Sequence, residues 1–196
     1  MTDKISFSKR LLKWLASAGL VFLEFVKVAV LAGITIGLVR YFLFKPFVVK
    51  GASMEPNFFE KEYLIIDELS FRLREPKRGE VIVFKYPENP KEYFIKRIIG
   101  LPGERVKVAE GNVIIYNDAH PEGLVVEENY ISDDVPTTGE RITELGSHEY
   151  FVLGDNRSNS LDSRRFGAVD NSLIVGRVWL RGWPVSRIQK FDIPSY

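Results

Sequence analysis

The sequence contains no cysteine and only two histidines, His120 and His148, which lack the spacing of metal ligands. Disulfides, thiolate metal sites and cysteine nucleophiles are therefore excluded, and we expect neither a metal ion nor another cofactor. A basic excess is also lacking, because 27 lysines and arginines face 26 aspartates and glutamates, for a net charge of +1. Nucleic-acid-binding proteins usually have a clear basic excess, so we do not expect nucleic acid as a partner.

Long apolar runs are confined to the first 50 residues of the chain. As a helix, the stretch Leu20–Phe44 would measure about 37 Å, enough to cross a bilayer core of about 30 Å with some tilt. We predict an amphipathic segment at the membrane surface that leads into a span from about Val28 to Phe44. Glu24 and Lys27 are three residues apart, so they can pair on one helical face.

The same apolar run could instead be a cleaved signal peptide or a buried core helix. A signal peptide is disfavoured because residues 44–49 lack a small-x-small cleavage site. A core helix of this length would be unusual in so small a domain. Basic residues near the start favour a cytoplasmic N-terminus with the remaining chain on the outer face. We therefore predict a single-pass lead-in and anchor at 1–45 and a second domain at 46–196.

From residue 46 onward, short runs rich in Val, Ile, Phe and Tyr alternate with turns that contain glycine, proline or asparagine. This pattern is typical of an antiparallel β-barrel or sandwich, so we predict a mainly β fold. The polar, aperiodic stretch 118–146 is predicted to be a small insertion. The predicted strands are Phe47–Lys50, Tyr63–Asp67, Glu80–Tyr86, Tyr93–Gly100, Arg105–Ala109, Asn112–Tyr116, Glu149–Leu153 and Leu173–Trp179.

Three segments favour a serine nucleophile activated by lysine, one of the few hydrolytic options left without cysteine, a suitable histidine or a metal. Residues 51–57 (GASMEPN) follow a strand and can present the Ser53 hydroxyl on a rigid turn. On the strand that contains Lys96, neighbouring Phe94 and Ile98 share its face, and burial there lowers a lysine pKa towards the value that a base requires. Residues 154–165 (GDNRSNSLDSRR) suit a network of ion pairs and hydroxyl contacts that fixes a neighbouring base.

Each of these segments is also compatible with a purely structural role. Ser53 could be a turn serine, and Lys96 an edge-strand lysine that opposes aggregation. Residues 154–165 could form a solvated loop with side chains that hydrogen-bond to the local backbone. The residues alone leave these alternatives open.

Together, in this order and behind an apolar segment, the motifs resemble those of bacterial type I signal peptidases, particularly the single-span forms. The resemblance covers nearly the whole chain. Residues 53–56 (SMEP) are similar to the nucleophile motif, 78–84 (RGEVIVF) to a core strand, 96–104 (KRIIGLPGE) to the general-base motif, and 154–164 to the last motif. The resemblance implies that Ser53 is the nucleophile and Lys96 the base. It further implies supporting roles for Ser160, which would orient the Lys96 amine, and for Asp155, Arg97, Asp162 and Arg164, which would brace the site.

Two positions depart from the family pattern. Asn57 stands where threonine is more usual. Gly51 stands where some relatives have a hydroxyl residue that donates to the oxyanion. We therefore expect the oxyanion hole to consist of the Ser53 backbone N–H, assisted by that of Gly51.

The resemblance implies a Ser-Lys serine endopeptidase in the cytoplasmic membrane that removes Ala-x-Ala signal peptides from exported preproteins on the outer face. The expected partners are these preproteins and the lipid bilayer. We expect the preprotein to add to a sheet edge as an extended strand. The residues predicted to form the walls of its binding pockets are Phe47, Val49, Phe58 and Ile95.

Two different functions fit parts of the same sequence. A self-cleaving Ser-Lys peptidase of the repressor type would have DNA-binding helices in place of the apolar run. A single-pass membrane protein could use its β domain only to bind a partner. The presence of both Ser53 and Lys96 argues against this second alternative.

Overall fold

The computed structural model describes residues 2–42, 44–131 and 135–192. The chain separates into two compact units, Met1–Leu43 and Phe44–Tyr196. We retain, as a proposal, the assignment of residues 1–45 to an anchor and of 46–196 to a catalytic domain.

The first unit is a single helix, α1 (Thr2–Phe42). Within it, Ser17–Gly37 is long and apolar enough to cross a membrane. This differs from the predicted amphipathic segment and span from Val28 to Phe44, because the apolar stretch begins earlier and the helix ends at Phe42. The predicted Glu24–Lys27 pair is formed, with 3.6 Å between Lys27 Nζ and Glu24 Oε2. Pairing lowers the free-energy cost of placing these two charges in a membrane span. The apolar span can therefore begin before Glu24.

The second unit consists mainly of antiparallel strands, in agreement with the predicted fold class. Its strands are β1 (Phe44–Val48), β2 (Tyr63–Asp67), β3 (Val81–Tyr86), β4 (Asn89–Gly100), β5 (Arg105–Ala109), β6 (Asn112–Asn117), β7 (His120–Val125), β8 (Arg141–Glu144), β9 (Glu149–Leu153), β10 (Val169–Asp170), β11 (Ile174–Trp183) and β12 (Gln189–Lys190). Two short helices, α2 (Ser70–Leu73) and α3 (Ser163–Phe166), and two 3-10 turns, Asn171–Leu173 and Val185–Arg187, connect them.

The strands form two sheets. The larger has the order β1-β2-β11-β3-β4-β9-β10, with β12 also paired to β11, and the smaller has the order β7-β6-β5-β8. All these pairings are antiparallel. Within the described residues both sheets are open, so the architecture is sandwich-like and not a closed barrel.

Strand β3 shows why the larger sheet requires an uninterrupted apolar sequence. Val81 and Val83 belong to one buried cluster, whereas Ile82 and Phe84 belong to another. Successive side chains of a strand point to opposite faces, so a strand covered on both faces must be apolar at every position. A third cluster joins β4 and β9 to the smaller sheet.

The stretch 118–146 contains two strands that the sequence pattern did not predict. Strands β7 and β8 occupy the two edges of the smaller sheet. An edge strand has a neighbouring strand on only one side, and its other side faces solvent. Such a strand therefore needs fewer apolar residues than a central strand. The sequence of β7 even contains proline and glycine.

Candidate active site

Ser53 lies in the turn formed by residues 51–58, shortly after β1. Met54 and Phe58, which are 1% and 0% exposed, anchor this turn in the core. Gly51 has a φ of +80°, in the left-handed region where a residue with a Cβ is strained. The local backbone therefore favours glycine at the position where some relatives have a hydroxyl residue.

Lys96 is buried on β4 beside the Ser53 hydroxyl. Its Nζ donates to Ser53 Oγ over 2.7 Å and to the Ile95 carbonyl oxygen over 2.9 Å. Burial lowers the pKa of Lys96 to about 8, although the charges of Asp162 and Asp155 act in the opposite direction. The structure thus places a buried amine with a pKa lowered to about 8 in contact with a serine hydroxyl.

Asp155 connects the strand of Lys96 to the turn of Ser53. Its carboxylate accepts hydrogen bonds from Arg97 Nε at 2.8 Å and Nη2 at 2.6 Å. It also accepts one from Asn57 Nδ2 at 2.9 Å. Arg97 donates further to the Gly79 carbonyl oxygen. Because Arg97 follows Lys96 directly, this paired and buried carboxylate fixes the backbone that presents the amine.

Asp162 holds the segment 154–165 together. Both of its oxygens accept from the Arg164 guanidinium at 2.9 Å, and Oδ2 accepts from the Gly154 backbone N–H at 3.1 Å. Burial alone would raise the pKa of Asp162, but hydrogen bonds and the charge of Arg164 outweigh burial and hold the pKa below its ordinary value of 3.8. Asp162 is therefore a carboxylate at neutral pH.

Ser160 lies near the site, but its hydroxyl does not make the expected hydrogen bond to the Lys96 amine. Its buried Oγ meets no hydrogen-bond partner of good geometry among the described residues, although it is close enough to Asp162 to help lower the pKa of that carboxyl. A Cβ on Gly154 would lie only 2.2 Å from Ser160 Oγ and 2.5 Å from the Ser53 carbonyl oxygen. Glycine at position 154 thus lets Ser160 approach the turn that contains Ser53.

The Asn57 side chain makes hydrogen bonds that the sequence patterns did not reveal. Besides Asp155, its Nδ2 donates to the Tyr130 carbonyl oxygen over 2.7 Å. The Tyr130 ring in turn stacks on Arg97, with 3.9 Å from Cζ to the ring centroid. The sequence hints at these contacts only in that asparagine stands where threonine is more usual. This departure does not indicate which groups the Asn57 amide contacts.

The segment 154–165 also contacts the backbone of the turn that contains Ser53. The Asn156 N–H donates to the Ser53 carbonyl oxygen over 3.0 Å, and Asn156 Nδ2 donates to the Ala52 carbonyl oxygen over 3.1 Å. Arg157, only 1% exposed, donates to the Gly154 carbonyl oxygen and pairs with Glu128. The sequence pattern predicted ion pairs in 154–165 but gave no partner for Arg157, and it assigned no role to Glu128.

A groove of about 540 Å³ opens beside Ser53. Three of the four predicted wall residues, Phe47, Val49 and Ile95, line it. Phe58 is not among its lining residues, because it is 0% exposed and packs against the ring of Phe191, with 4.8 Å between centroids. The groove is lined by Phe47, Val48, Val49, Lys50, Ser53, Leu64, Val83, Lys91, Glu92, Tyr93, Phe94 and Ile95.

Two unpaired strand edges border the groove. Four antiparallel pairings separate β1 from β4 in the larger sheet, so the two strands run in the same direction. Among the described residues, β1 pairs only with β2, and β4 pairs with β9 only from Arg97 onward. Within the described part of the chain, the edge of residues 89–95 therefore has no partner strand on this side, and an extended peptide could hydrogen-bond to both β1 and β4.

Comparisons with known proteins show which family the chain resembles. Residues 22–183 match the family model described as signal peptidase, peptidase S26. The probable signal peptidase I-2 of Synechocystis sp. is 39% identical over 171 residues, which are 85% of this chain and 75% of that protein. Signal peptidase I of Leptolyngbya laminosa is 37% identical over 163 residues, which are 80% of this chain and 77% of that protein.

The crystal structure of a signal peptidase I from Enterococcus faecalis V583 is 30% identical and covers 54% of this chain and 97% of that chain, with a TM-score of 0.45. The family match includes the Ser53 turn, Lys96 and the segment 154–165. From the extent of the family match and these sequence identities, we conclude that the chain belongs to the signal peptidase family, peptidase S26.

Proposed function

We propose that this chain is a membrane-anchored serine endopeptidase that removes N-terminal signal peptides from preproteins through a dyad of Ser53 and Lys96. The observation that supports the dyad is the 2.7 Å hydrogen bond between Lys96 Nζ and Ser53 Oγ. A general base must also be able to lose its own proton, and burial favours this by lowering the pKa of the Lys96 amine to about 8. A β domain that merely binds a partner would not need a buried lysine in contact with a serine.

In the proposed reaction, neutral Lys96 takes the proton from Ser53 Oγ as this oxygen attacks the scissile carbonyl carbon. The resulting ammonium gives the proton to the leaving amine, and the peptide bond breaks. The signal peptide is then bound to Ser53 as an ester. Lys96, neutral again, activates a water molecule that hydrolyses this ester and regenerates the serine.

The oxyanion of the tetrahedral intermediate is proposed to accept a hydrogen bond from the Ser53 backbone N–H, assisted by that of Gly51. Among the described residues, the Ser53 N–H donates to no other group. The bond from Asn156 to the Ser53 carbonyl oxygen supports this role, because it fixes the turn in which that N–H lies. Donors held in place before the reaction stabilise the developing charge without reorganising.

The groove supports a preference for small side chains near the cleaved bond. In an extended substrate, alternate side chains point to the same face, so the first and third residues before the bond meet the groove floor together. Phe47, Val49 and Ile95 line the groove and are bulky and apolar, so we expect them to admit alanine and little more. A larger side chain would have to displace packed groups, at a typical cost of about 1–3 kcal/mol. We therefore propose Ala-x-Ala preproteins as substrates.

The apolar helix supports a single membrane span. We propose that the N-terminus is cytoplasmic and that the catalytic unit works on the outer face of the cytoplasmic membrane. The orientation rests on the basic residues of the first 13 positions, Lys4, Lys9, Arg10 and Lys13.

Cleavage of an Ala-x-Ala preprotein by the purified full-length protein in detergent tests this function. Ser53→Ala and Lys96→Ala should each lower kcat/KM by at least about a thousandfold, and the double variant should be no worse than either, because the two residues act as a unit. Ser186→Ala and Lys77→Ala are matched controls, because both residues are exposed and lie outside the groove. Retention of more than about a tenth of the activity by either dyad variant would contradict the mechanism.

A further inference from the structure

Lys50 is the charged groove residue closest in sequence to Ser53. Its side chain is exposed and makes no ion pair or hydrogen bond with another described residue. The other charged residues of the groove are Lys91 and Glu92, and Glu92 already accepts a hydrogen bond from Asn89 at 2.7 Å. Among the described residues, the groove thus has a positive charge without an ion-pair or hydrogen-bond partner three residues before Ser53.

The alternation of burial shows where Lys50 points. Val49 is 4% exposed and belongs to the core beneath the groove, whereas Val48 is 43% exposed and Lys50 is also exposed. Successive side chains of an extended segment point to opposite faces. Lys50 therefore lies on the face away from the groove floor.

A substrate strand in the groove has the same alternation. If its first and third residues before the cleaved bond point to the floor, the second and fourth point away from it. Side chains of neighbouring strands that share a face interact. Of the two outward side chains, the second is nearer the cleaved bond, and Lys50 is close to Ser53 in the chain. In such a pose the second side chain would share the face of Lys50.

We propose that Lys50 gives the enzyme a preference for a carboxylate side chain at the second residue before the cleaved bond. This inference rests on the proposed peptidase function and adds a charge preference to it. Apolar Val48 flanks Lys50 on the same face and does not compete for the carboxylate. A lysine or arginine at the same substrate position meets the like charge of Lys50 and is disfavoured.

The expected effect is moderate because the pair is exposed to solvent. Exposed ion pairs contribute little individually, so we expect an aspartate substrate to be cleaved about threefold to tenfold faster than a lysine substrate. Salt screens such pairs, and the ratio should fall towards one as the salt concentration approaches about 1 M.

Three preproteins that differ only at this residue, with Asp, Asn or Lys between the two alanines, test the inference. Their kcat/KM values are measured with the full-length wild-type enzyme and with Lys50→Gln and Lys50→Glu. Lys50→Gln should bring the Asp-to-Lys ratio close to one, and Lys50→Glu should invert it. Lys77→Glu is the control for net charge, and Lys91→Glu is the control for a lysine elsewhere in the groove. Both controls should keep the wild-type ratio.

Equal cleavage of the Asp and Lys substrates by the wild type would overturn the charge preference but leave the peptidase function standing, because the Asn substrate is still cut. A ratio that survives in Lys50→Glu, or that is lost in Lys91→Glu, would equally overturn the assignment to Lys50. If none of the three substrates were cleaved, both the peptidase function and the inference would be contradicted.

Discussion

At the scale of single residues, the burial of Lys96 has two consequences, one for the stability of the folded protein and one for the chemistry of the amine. An amine that is 4% exposed has lost most of its hydration, and burial lowers its pKa from 10.5 to about 8. Below pH 8 the folded protein must hold a buried ammonium, at a cost of about 3 kcal/mol. The same burial supplies the neutral amine that can take the Ser53 proton.

Lys96→Met should therefore stabilise the protein at pH 7, by about 2 kcal/mol once the lost hydrogen bond to Ser53 is counted. Between about pH 8 and 10.5 the unfolded chain binds more protons at this lysine than the folded protein does, so wild-type stability rises with pH. The advantage of the methionine variant should shrink across this range. Unfolding midpoints at pH 7 and pH 10 measure both effects. Lys77→Met serves as the exposed control, and a destabilised Lys96→Met at pH 7 would show that burial of the amine is not costly.

At the scale of elements, three chain segments meet at the side-chain amide of Asn57. Asn57 belongs to the turn that contains Ser53, Tyr130 to the segment that follows β7, and Asp155 to the segment that follows β9. Asp155 in turn pairs with Arg97 on β4. The amide therefore sets the distance between the turn of Ser53 and the strand of Lys96.

Asn57→Ala should lower kcat about tenfold with little change in KM, because the loss concerns alignment of the dyad and not the groove. It should also lower the free energy of unfolding by about 1–3 kcal/mol, because a buried carboxylate loses one donor. Steady-state kinetics and urea unfolding measure the two effects. Asn57→Thr, which keeps one donor, should recover part of kcat, and Asn112→Ala is an exposed control. An unchanged kcat in Asn57→Ala would refute the positioning role.

Sequence patterns predicted the apolar strands well and the tertiary contacts poorly. Strands β2 and β9 have the predicted bounds, Tyr63–Asp67 and Glu149–Leu153, because their residues are densely apolar. The edge strands β7 and β8 carry no such signal. The pair of Arg157 with Glu128 spans 29 residues, and a contact of this kind depends on how the sheets pack. The expected Ser160–Lys96 contact came from the family resemblance, and the residues alone did not predict it.

At the scale of the whole molecule, the anchor and the β unit have separate compositions and separate internal packing. The groove, the pair of Ser53 and Lys96, and the hydrogen bonds of Asp155 and Asp162 all lie within Phe44–Tyr196. Every contact described for the site is therefore present without the helix. This separation is typical of an enzyme whose anchor serves for location and whose chemistry resides in one domain.

A chain that begins at Phe44 retains all of β1 and should cleave a detergent-solubilised preprotein at a rate within a few-fold of the full-length protein. It should lose stable attachment to membranes, because the apolar span has been removed. Sedimentation with vesicles and the cleavage assay report the two properties separately. A folded but inactive shortened chain would show that the helix contributes to the site itself.

The pH dependence of kcat/KM for an Ala-x-Ala preprotein tests the Ser53–Lys96 dyad most directly. Protonated Lys96 cannot accept the Ser53 proton, so activity should be low in acid and rise with pH through a limb near pH 8, the value to which burial lowers the pKa of this lysine. Full-length protein in detergent should show this limb, and Lys77→Ala should show it unchanged. A limb near pH 10, as for a solvent-exposed lysine, or a rate independent of pH between 6 and 10, would contradict the account.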